Sequence, residues 1–416
     1  MLPSQVDVAI VGAGAAGVGA ARVLAGGGLS VLMLEATARV GGRAHTAAMA
    51  GVPLDLGCGW LHSAERNGWT AIAGTAGVPI DRTRAAWGRQ YRDLGFSPAD
   101  QAAAGEAFAA FDRRLRTAPP DSDRAADALE PGGPWNGYLQ ALSGYINGVR
   151  IEQLSVADYL AYDDAASEAN WRLPGGYGAL VAASRPPQVP LALATPVTAI
   201  DVDGPGLTLR TPRGDVTARA AIVTVSSAVL AAGTIRLPAA LDDHLHAAAD
   251  LPLGLADKLF LALGDPGRLP PDQHLLGDPR DPATGSYYLR PFGYPVIECF
   301  FGGEGAEHVE QKGLDGAARF AIDQLTRLLG PGLQLRLLGG SAWGGDPAFR
   351  GSYSHALPGR RAARARLAQA WDRRIWFAGE ATSAADFSTA HGALAAGEAA
   401  ARAVTDALRP APPRTR

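Results

Sequence analysis

The chain contains very little cysteine and very little lysine. Its two cysteines, Cys58 and Cys299, are too few for a disulfide framework, and neither stands in a metal-ligand spacing. We therefore expect no metal site, two small buried apolar side chains, and a reducing, cytoplasmic compartment. Only two of the 38 basic residues are lysines, Lys258 and Lys312, so a lysine marks a position where arginine was not used.

The chain also lacks a strong excess of one charge and any long apolar run. The formal net charge of -3 gives no reason to expect a nucleic-acid partner, and no run reaches the roughly 18 apolar residues of a membrane span. The first residues lack the basic region and cleavage site of a secretory signal. A chain of 416 residues with 47% apolar residues is typical of a globular protein of two or three domains. Its Pro-rich end after residue 409 is expected to fray.

The N-terminal residues have the pattern of a strand, a glycine-rich turn, a helix and a second strand. The strands are expected at 6–11 and 30–34, and their apolar residues suit strands that are buried on both faces. The helix is expected at 18–24 and ends at a run of three glycines. A strand–helix–strand unit of this kind predicts a parallel sheet with a right-handed crossover.

The glycine-rich turn has the spacing of a dinucleotide site. Gly12 allows the tight turn, Gly14 lets the backbone approach a pyrophosphate, and Gly17 lets the helix pack closely against the strand. The start of the helix, near Ala16, supplies free N–H groups for phosphate. Glu35 follows the second strand and is placed to accept hydrogen bonds from ribose hydroxyls. The pattern predicts a dinucleotide and leaves FAD and NAD as alternatives.

Two further glycine segments favour FAD. Gly42 and Arg43 follow soon after the ribose acid and offer a second close backbone approach with a fixed cation. Near the other end of the chain, Gly379 follows an apolar strand, and residues 388–393 open the last helix. A helix N-terminus presented to a flavin can stabilise negative charge that develops on the reduced ring.

The remaining pattern predicts an α/β fold in which two domains alternate along the chain. Helices are expected at 100–116, 313–329 and 389–408, strands at 216–225, 258–263, 294–301 and 375–378, and a hairpin from 197–202 and 207–211. Strand–turn–helix pieces at both ends predict a Rossmann-like FAD-binding domain interleaved with an α+β substrate domain of a mixed sheet plus helices. The FAD-binding domain would comprise residues 1–80, 175–250 and 365–416, and the substrate-binding domain residues 81–174 and 251–364.

Short segments spread over the chain make a combined signature. They are Val-Gly-Ala-Gly-Ala-Ala-Gly at 11–17, Val-Gly-Gly-Arg at 40–43, Leu-Gly-Cys-Gly-Trp-Leu-His at 56–62, Leu-Pro-Gly-Gly-Tyr-Gly at 173–178, Lys258, Trp343, Arg-Gly-Ser-Tyr-Ser at 350–354, Phe-Ala-Gly-Glu-Ala-Thr-Ser at 377–383 and Thr-Ala-His-Gly-Ala at 389–393. Together they resemble the flavin-containing amine oxidase family, which includes monoamine oxidases, polyamine oxidases and lysine-specific histone demethylases. In motif detail the chain is closest to the polyamine oxidase-like branch, and the resemblance is weakest between about 81 and 170.

The resemblance implies a cofactor site for FAD. Glu35 would bind the ribose, Arg43 and Glu380 would line the phosphate and ribityl, and Val197 would contact the adenine through its backbone. The flavin ring would be bordered by Trp343 and by the segment around Trp60. The full set of implied cofactor-binding residues is Gly12, Gly14, Ala16, Gly17, Glu35, Gly42, Arg43, Gly57, Gly59, Trp60, Val197, Trp343, Gly379, Glu380, Thr389 and Ala390.

The resemblance also implies catalytic residues. Lys258 matches the family lysine that holds a water against flavin N5, and burial can depress the pKa of such a lysine. Tyr353 matches one wall of an aromatic cage whose second wall is Thr389 here, as in the polyamine oxidase branch. His62 would bind substrate or lie in an ordinary polar turn. Ser352 stands where monoamine oxidases carry the Cys that links covalently to flavin, so we predict non-covalent FAD.

The reaction implied by the resemblance is oxidation of a small amine by hydride transfer to flavin N5. The imine would hydrolyse, and oxygen would be reduced to hydrogen peroxide. Acidic groups such as Glu65, Asp163, Asp164 or Glu298 would suit a polyamine, although each is more often solvated. An L-amino-acid oxidase, with an Arg such as Arg290 for the carboxylate, a flavin desaturase and a non-enzymatic FAD-binding protein are alternatives. The sequence leaves open the amine, the C–N bond oxidised, the physiological acceptor and the oligomeric state.

Overall fold

The computed structural model of the protein describes residues 2–409, and the Pro-rich end that is expected to fray lies outside them. The strands in chain order are β1 (Gln5–Val11), β2 (Val31–Leu34), β3 (Thr46–Met49), β4 (Val52–Asp55), β5 (Trp60–Leu61), β6 (Trp171–Arg172), β7 (Leu191–Ala192), β8 (Ala199–Asp203), β9 (Gly206–Arg210), β10 (Val216–Val223), β11 (Leu253–Gly254), β12 (Ala256–Leu263), β13 (Gln273–Leu276), β14 (Ser286–Leu289), β15 (Val296–Gly302), β16 (Leu335–Gly340), β17 (Tyr353–Ser354) and β18 (Ile375–Phe377).

The helices cover the crossovers and much of the region between the sheets. They are α1 (Ala15–Leu24), α2 (Gly68–Thr75), α3 (Pro98–Thr117), α4 (Asn136–Asn147), α5 (Val156–Ala165), α6 (Tyr177–Ala183), α7 (Ser227–Ala231), α8 (Asp242–Ala249), α9 (Glu304–Leu329), α10 (Ala363–Leu367) and α11 (Ala390–Leu408). No helix within residues 2–409 combines the length and the apolar character needed to cross a membrane.

The first large sheet has seven strands drawn from distant parts of the chain. Its order is β7-β2-β1-β10-β9-β8, with β18 pairing β10. β1 is parallel to both β2 and β10, which confirms the predicted strand–helix–strand unit. The antiparallel pair β8 and β9 confirms the predicted hairpin. The four residues of β2 are all buried, because the crossover helices cover this sheet as in other parallel α/β layers.

The helices α1 and α11 pack against each other with almost no side chain between them. A Cβ atom added at Gly397 would lie 1.9 Å from the carbonyl oxygen of Ala16, and one at Gly19 would lie 2.7 Å from that of Leu394. Glycine at these two positions lets the last helix of the chain lie directly on the helix that begins the nucleotide turn.

The second large sheet has five antiparallel strands in the order β13-β14-β15-β12-β16, and its two faces differ in chemistry. One face packs against α9 through apolar side chains, among them Leu259, Leu261, Tyr287, Cys299 and Phe301. The other face carries Lys258, Glu298, Tyr288 and His274 and lines a cavity. The period-2 alternation of strands therefore aims the polar residues of this sheet at one space.

The structure confirms one local expectation and corrects another. The predicted helix 313–329 is confirmed, because Gly313, with a non-helical φ of +65° and ψ of 172°, breaks α9, and the second part of α9 follows it to Leu329. The first part of α9, from Glu304, was not predicted. His244 of α8 is buried, its Nε2 lies 3.0 Å from the carbonyl oxygen of Gln369, and its ring packs on Phe377. Cys58 was expected to be buried like Cys299, but it is only partly covered, because it lines the cavity.

Candidate active site

One cavity of about 1130 Å³ connects the glycine-rich turn after β1 to the polar face of the second sheet. Almost every predicted site residue lines it. Those residues are Gly12, Gly14, Ala16, Glu35, Gly42, Arg43, Gly57, Gly59, Trp60, His62, Val197, Lys258, Trp343, Tyr353, Gly379, Glu380, Thr389 and Ala390. The exception is Gly17, whose predicted role was packing rather than contact with a ligand.

The two glycine turns predicted separately form one cradle. The N–H of Gly41 donates to the carbonyl of Ala13 at 2.8 Å, so the second turn lies against the first. Gly12 and Gly42 have φ of +107° and +61°, a region that favours glycine. A Cβ atom at Gly17 would lie 2.1 Å from the carbonyl oxygen of Gly12, which confirms the close approach of helix and strand at this position.

Glu35 lies at the edge of this cradle, just beyond the end of β2. It is 6% exposed, and its Oε2 accepts from the backbone N–H of Ala13 at 2.7 Å. Its Oε1 accepts from the backbone N–H and the hydroxyl of Thr37 at 2.8 and 2.7 Å. These contacts hold the carboxylate at the same end of the cavity as Val197.

Arg43 and Glu380 form an ion pair further along the cavity. The guanidinium Nη1 of Arg43 lies 3.0 Å from Oε1 of Glu380 and donates to the carbonyl of Ser352 at 2.6 Å. Burial would raise the pKa of Glu380, but Arg43, the hydroxyl of Ser354 and Arg364 outweigh it and hold the pKa below its ordinary value. The pair therefore stays charged, and it joins two segments that are 337 residues apart in the sequence.

Helix starts face the cavity at two places. The N-cap of α1 is Gly14, without a capping side chain, so N–H groups of the first turn are free for a phosphate. The N-cap of α11 is Thr389, whose hydroxyl accepts from the N–H of Gly392 at 3.0 Å and leaves the earlier N–H groups free. His391 is buried in this first turn.

These features fit an extended flavin dinucleotide. The cradle offers free N–H groups where phosphates would lie, a carboxylate where a ribose would lie, and a fixed ion pair in between. The cavity volume is above the roughly 300–1,000 Å³ usual for pockets that hold a drug-sized ligand, which leaves room for a small substrate beside the cofactor.

Lys258 is buried at the far end of the cavity and pairs with a carboxylate. Its Nζ lies 2.8 Å from Oε1 of Glu298. Burial lowers the pKa of Lys258, but Glu298 and Asp55 outweigh that effect and leave the pKa above its ordinary value. The expectation of a depressed lysine pKa is therefore wrong, because a neighbouring strand supplies an acid that the local sequence around Lys258 does not show.

Aromatic side chains line the same cavity as Lys258. Tyr353 donates its hydroxyl hydrogen to the carbonyl of Tyr145 at 2.8 Å, which fixes the ring at the cavity wall. Trp343 donates from its backbone N–H to Asp257 at 3.1 Å and from its ring N–H to Leu56 at 3.3 Å. Burial, with the nearby Glu310, raises the pKa of Asp257 to about 7.

His62 lies in the cavity with one ring nitrogen occupied. Its Nδ1 lies 2.7 Å from Oδ1 of Asn170, which is an acceptor, so the Nδ1–H is the donor. Burial, as the largest cause, lowers the pKa of His62, and the ring is therefore neutral at pH 7. A neutral ring with Nδ1–H leaves Nε2 as an acceptor for a ligand N–H.

The sequence did not single out Asn170 or Asp257, and it named Glu298 only as one of four possible acids for a polyamine. Each acts through a partner on another element: Asn170 on His62, Asp257 on Trp343, and Glu298 on Lys258. The only available signal was the apolar strand around Glu298, where a carboxylate is unusual.

Three other candidates lie elsewhere. The guanidinium of Arg290 donates to the carbonyls of Leu269 and Gly293, and Arg290 does not line the cavity. Asp164 pairs with Arg116. Glu65 is also absent from the cavity wall.

Comparison with known proteins agrees with this geometry. The sequence model of a family described as "Flavin containing amine oxidoreductase" matches residues 104–405, and that of an NAD(P)-binding Rossmann-like domain matches residues 10–73. Polyamine oxidase 2 of Arabidopsis thaliana is 28% identical over 95% of this chain and 87% of its own length. Polyamine oxidase 4 of Oryza sativa subsp. japonica is 30% identical over 96% of this chain and 88% of its own length.

The fold is also found in solved structures. A structure of wild-type putrescine oxidase bound to putrescine superposes with a TM-score of 0.75 at 19% sequence identity, covering 96% of this chain and 98% of the other. This likeness confirms the Rossmann-like domain with a separate antiparallel sheet.

Proposed function

Since the chain belongs to the flavin-containing amine oxidoreductase family, we propose that it uses FAD to oxidise a small primary or secondary amine, with oxygen as the electron acceptor. The observation that carries this proposal is the single cavity that joins the glycine cradle to Lys258, Tyr353 and His62. Relatives named polyamine oxidases, matched over nearly the whole chain, support an amine as the substrate.

Bound FAD would accept a hydride from the carbon next to nitrogen and pass the electrons to oxygen, which leaves as hydrogen peroxide. The residues of the chain hold the amine and keep bulk water away. Tyr353 offers a fixed aromatic wall, and the free Nε2 of His62 can accept an N–H of the amine. The nitrogen lone pair must form the C=N bond, so the amine must lose its extra proton before it reacts. Water then hydrolyses the imine to a carbonyl compound and an amine or ammonia.

Lys258 would hold one water inside the cavity. Its ammonium has three donors, and Glu298 takes one of them, which leaves two for a water or the reacting groups. Because the neighbouring carboxylates keep the pKa of Lys258 high, the lysine stays protonated and acts as a hydrogen-bond donor over the physiological pH range.

The FAD is proposed to bind without a covalent link. Ser352 lies at the cavity wall, and its hydroxyl accepts from the N–H of Ala256 at 2.7 Å and donates to the carbonyl of the same residue at 2.9 Å. The nearby thiol of Cys58 has its pKa raised by burial to about 12, so it stays protonated and unreactive. Denaturation in acid or urea, followed by filtration, should release all of the flavin into the filtrate. Flavin retained with the polypeptide would contradict this proposal.

The proposed function is tested by an anaerobic absorbance titration of the FAD-loaded protein. Spermine, spermidine, putrescine, arylalkylamines and L-amino acids would be added one at a time. Bleaching of the flavin band by an amine, with hydrogen peroxide formed when air is admitted, is the expected result. Bleaching by L-amino acids alone would replace the proposal with an amino-acid oxidase, and a flavin band that no amine bleaches would overturn it.

A further inference from the structure

Asp257 is a buried acid directly behind the wall of the cavity. Strand alternation places it on the face of the second sheet that packs against α9, together with Leu259 and Leu261, whereas its neighbour Lys258 lies on the cavity face. The side chain of Asp257 is 1% exposed. A carboxyl group in such a place needs partners for both of its oxygens, because burying a polar group without a hydrogen bond is costly.

One oxygen of Asp257 fixes the loop that carries Trp343. Oδ1 accepts from the hydroxyl of Ser341 at 2.8 Å and from the backbone N–H of Trp343 at 3.1 Å. The same Ser341 hydroxyl accepts from the backbone N–H of Lys258 at 2.9 Å. Asp257 therefore connects two residues of the cavity wall, Lys258 and Trp343.

Glu310 holds the next residue of that loop. It lies in the first part of α9, before the break at Gly313. Its Oε1 accepts from the backbone N–H of Gly344 at 2.7 Å. A Cβ atom at Gly344 would lie 2.7 Å from Oε2 of Glu310, so the carboxyl group covers this residue closely. Two acids, one on the sheet and one on the helix, thus hold two successive N–H groups of the loop.

The two carboxyl groups also meet each other. Within residues 2–409, Oδ2 of Asp257 is buried and has no donor, and Glu310 lies within hydrogen-bonding reach of Asp257. Two ionised carboxylates in contact would repel each other, whereas a single proton between them gives the empty Oδ2 its partner. In agreement with this, burial and Glu310 together raise the pKa of Asp257 to about 7.

The other acids at the start of α9 are directed to a different partner. Glu304 and Glu307 lie 3.0 and 3.6 Å from the guanidinium of Arg150. Glu310 is therefore the acid of this part of α9 that faces Asp257.

The strands around Asp257 present an uncharged side chain and a neutral hydroxyl. Its partner in the register of β15 is Phe301. Burial, with smaller contributions from Tyr162 and Asp257, raises the pKa of the Tyr353 hydroxyl of β17, which is neutral at pH 7. Among the groups of the described chain, Glu310 thus has the largest influence on the charge of Asp257.

We propose that Asp257 and Glu310 are a positioning pair that shares one proton and thereby fixes Trp343 and the backbone of Lys258 in the wall of the FAD cavity. The inference rests on the FAD binding of the proposed function and does not depend on which amine is oxidised. With the proton in place, the pair carries one negative charge, and both loop N–H groups have an acceptor. Loss of the proton leaves two adjacent carboxylates, which separate and release the loop.

The first test is the pH dependence of FAD binding. The FAD-loaded protein is diluted at a series of pH values from 6 to 9, and the FAD that passes a filter at equilibrium gives the dissociation constant. The shared proton is present below pH 7 and is lost above it, so the dissociation constant should be steady on the acid side. It should rise by about tenfold towards pH 9, as the loop is released.

Two variants replace the shared proton by an amide. In Asp257→Asn, Oδ1 still accepts from Ser341 and Trp343, and the amide N–H donates to Glu310 at every pH. In Glu310→Gln, Oε1 still accepts from Gly344, and the amide N–H donates to Asp257. Each variant should therefore lose the rise of the FAD dissociation constant above pH 7.

Glu307→Gln is the matched control. Glu307 lies in the same helix, one turn before Glu310, and its carboxylate is directed to Arg150. This variant should keep the wild-type rise. The circular dichroism of the flavin band, which reports the surroundings of the ring, should change over the same pH range in the wild type and in Glu307→Gln, and should stay constant in Asp257→Asn.

Three outcomes would overturn the positioning pair. One is a wild-type FAD dissociation constant that is the same at pH 6 and pH 9. Another is an Asp257→Asn variant that binds FAD more weakly and keeps the wild-type pH profile, since a purely structural role gives that result. The third is a protein that binds no FAD, which would overturn the proposed function as well. Neither measurement uses an amine, so a failure of amine oxidation alone would leave the positioning pair standing.

Discussion

At the scale of single residues, Lys258 and Glu298 show how one contact sets the behaviour of a buried group. The two lie on the adjacent strands β12 and β15, and the carboxylate holds the lysine in its charged form although both are largely shielded from water. An opposite charge within about 4–6 Å typically moves a pKa by one to three units. Glu298 is therefore a positioning residue that acts through Lys258.

Glu298→Gln should lower the pKa of Lys258, because burial remains and the largest influence that opposes it is lost. The raised pKa keeps Lys258 charged to high pH, so the substitution should move the alkaline limb of the flavin-reduction rate to lower pH. The measurement is the rate of anaerobic reduction between pH 6 and pH 11.

A matched control exists at the start of α9. Glu304 pairs with Arg150 outside the cavity, and Glu304→Gln should leave the pH profile unchanged. Lys258→Met should slow flavin reduction and abolish the alkaline limb of its pH profile, both alone and together with Glu298→Gln. An unchanged rate in Lys258→Met would remove the role of the lysine in holding a water.

Residues whose role follows from spacing within one segment could be predicted from the sequence. Residues whose role depends on a contact with a distant segment could not. Gly12, Gly14 and Glu35 are found from sequence because their roles arise within one strand–turn–helix unit. The role of Glu298 depends on the register of β12 against β15. The role of Asn170 depends on its contact with His62, which is 108 residues away in the sequence. No local pattern encodes such pairings, so the sequence predicted most residues of the cavity wall but not the contacts that orient Lys258 and His62.

At the scale of elements, the pair α1 and α11 explains how two ends of the chain build one cofactor site. The starts of both helices face the cavity, and their contact holds these starts in a fixed relation. The contact depends on glycine, since a Cβ at Gly397 would meet the backbone of Ala16 rather than a flexible side chain. The long apolar pattern of 389–408 predicted the helix. It did not predict which face of the helix would pack so closely against α1.

Gly397→Ala should therefore destabilise the protein by about 1–3 kcal/mol, as overpacking does, although alanine is the better helix former. It should also weaken FAD binding, because the two helix starts would be pushed apart. The urea midpoint and the FAD dissociation constant measure the two effects.

Gly74→Ala is the control for intrinsic helix propensity. Gly74 lies in α2, and nothing is within 4 Å of an added Cβ. This variant should be neutral or stabilised by up to about 1 kcal/mol. If Gly397→Ala behaved like Gly74→Ala, the proposed close packing of α1 on α11 would be wrong.

At the scale of the whole molecule, the segments that bracket the cavity are joined by one buried ion pair. Arg364 of α10 and Asp158 of α5 meet through two hydrogen bonds of 2.7 Å, and both are almost fully buried. Arg364 also donates to the hydroxyl of Ser354, next to Tyr353, and to the carbonyl of Ala381, next to Glu380. The pair thus links α5 to the site beside Tyr353 and Glu380.

Asp158→Asn should cost about 3–5 kcal/mol, because it leaves the Arg364 charge buried without a partner. The measurement is the urea midpoint of the FAD-loaded protein, taken at one saturating FAD concentration because bound ligand adds to apparent stability. The double variant Asp158→Asn with Arg364→Met should recover part of the loss, since the unpaired charge is removed as well. The exposed pair Arg402 and Glu398 in α11 provides the comparison, and Glu398→Gln should change stability by no more than about 1 kcal/mol. A loss for Asp158→Asn as small as that of Glu398→Gln would show that the buried pair does not hold the two segments together.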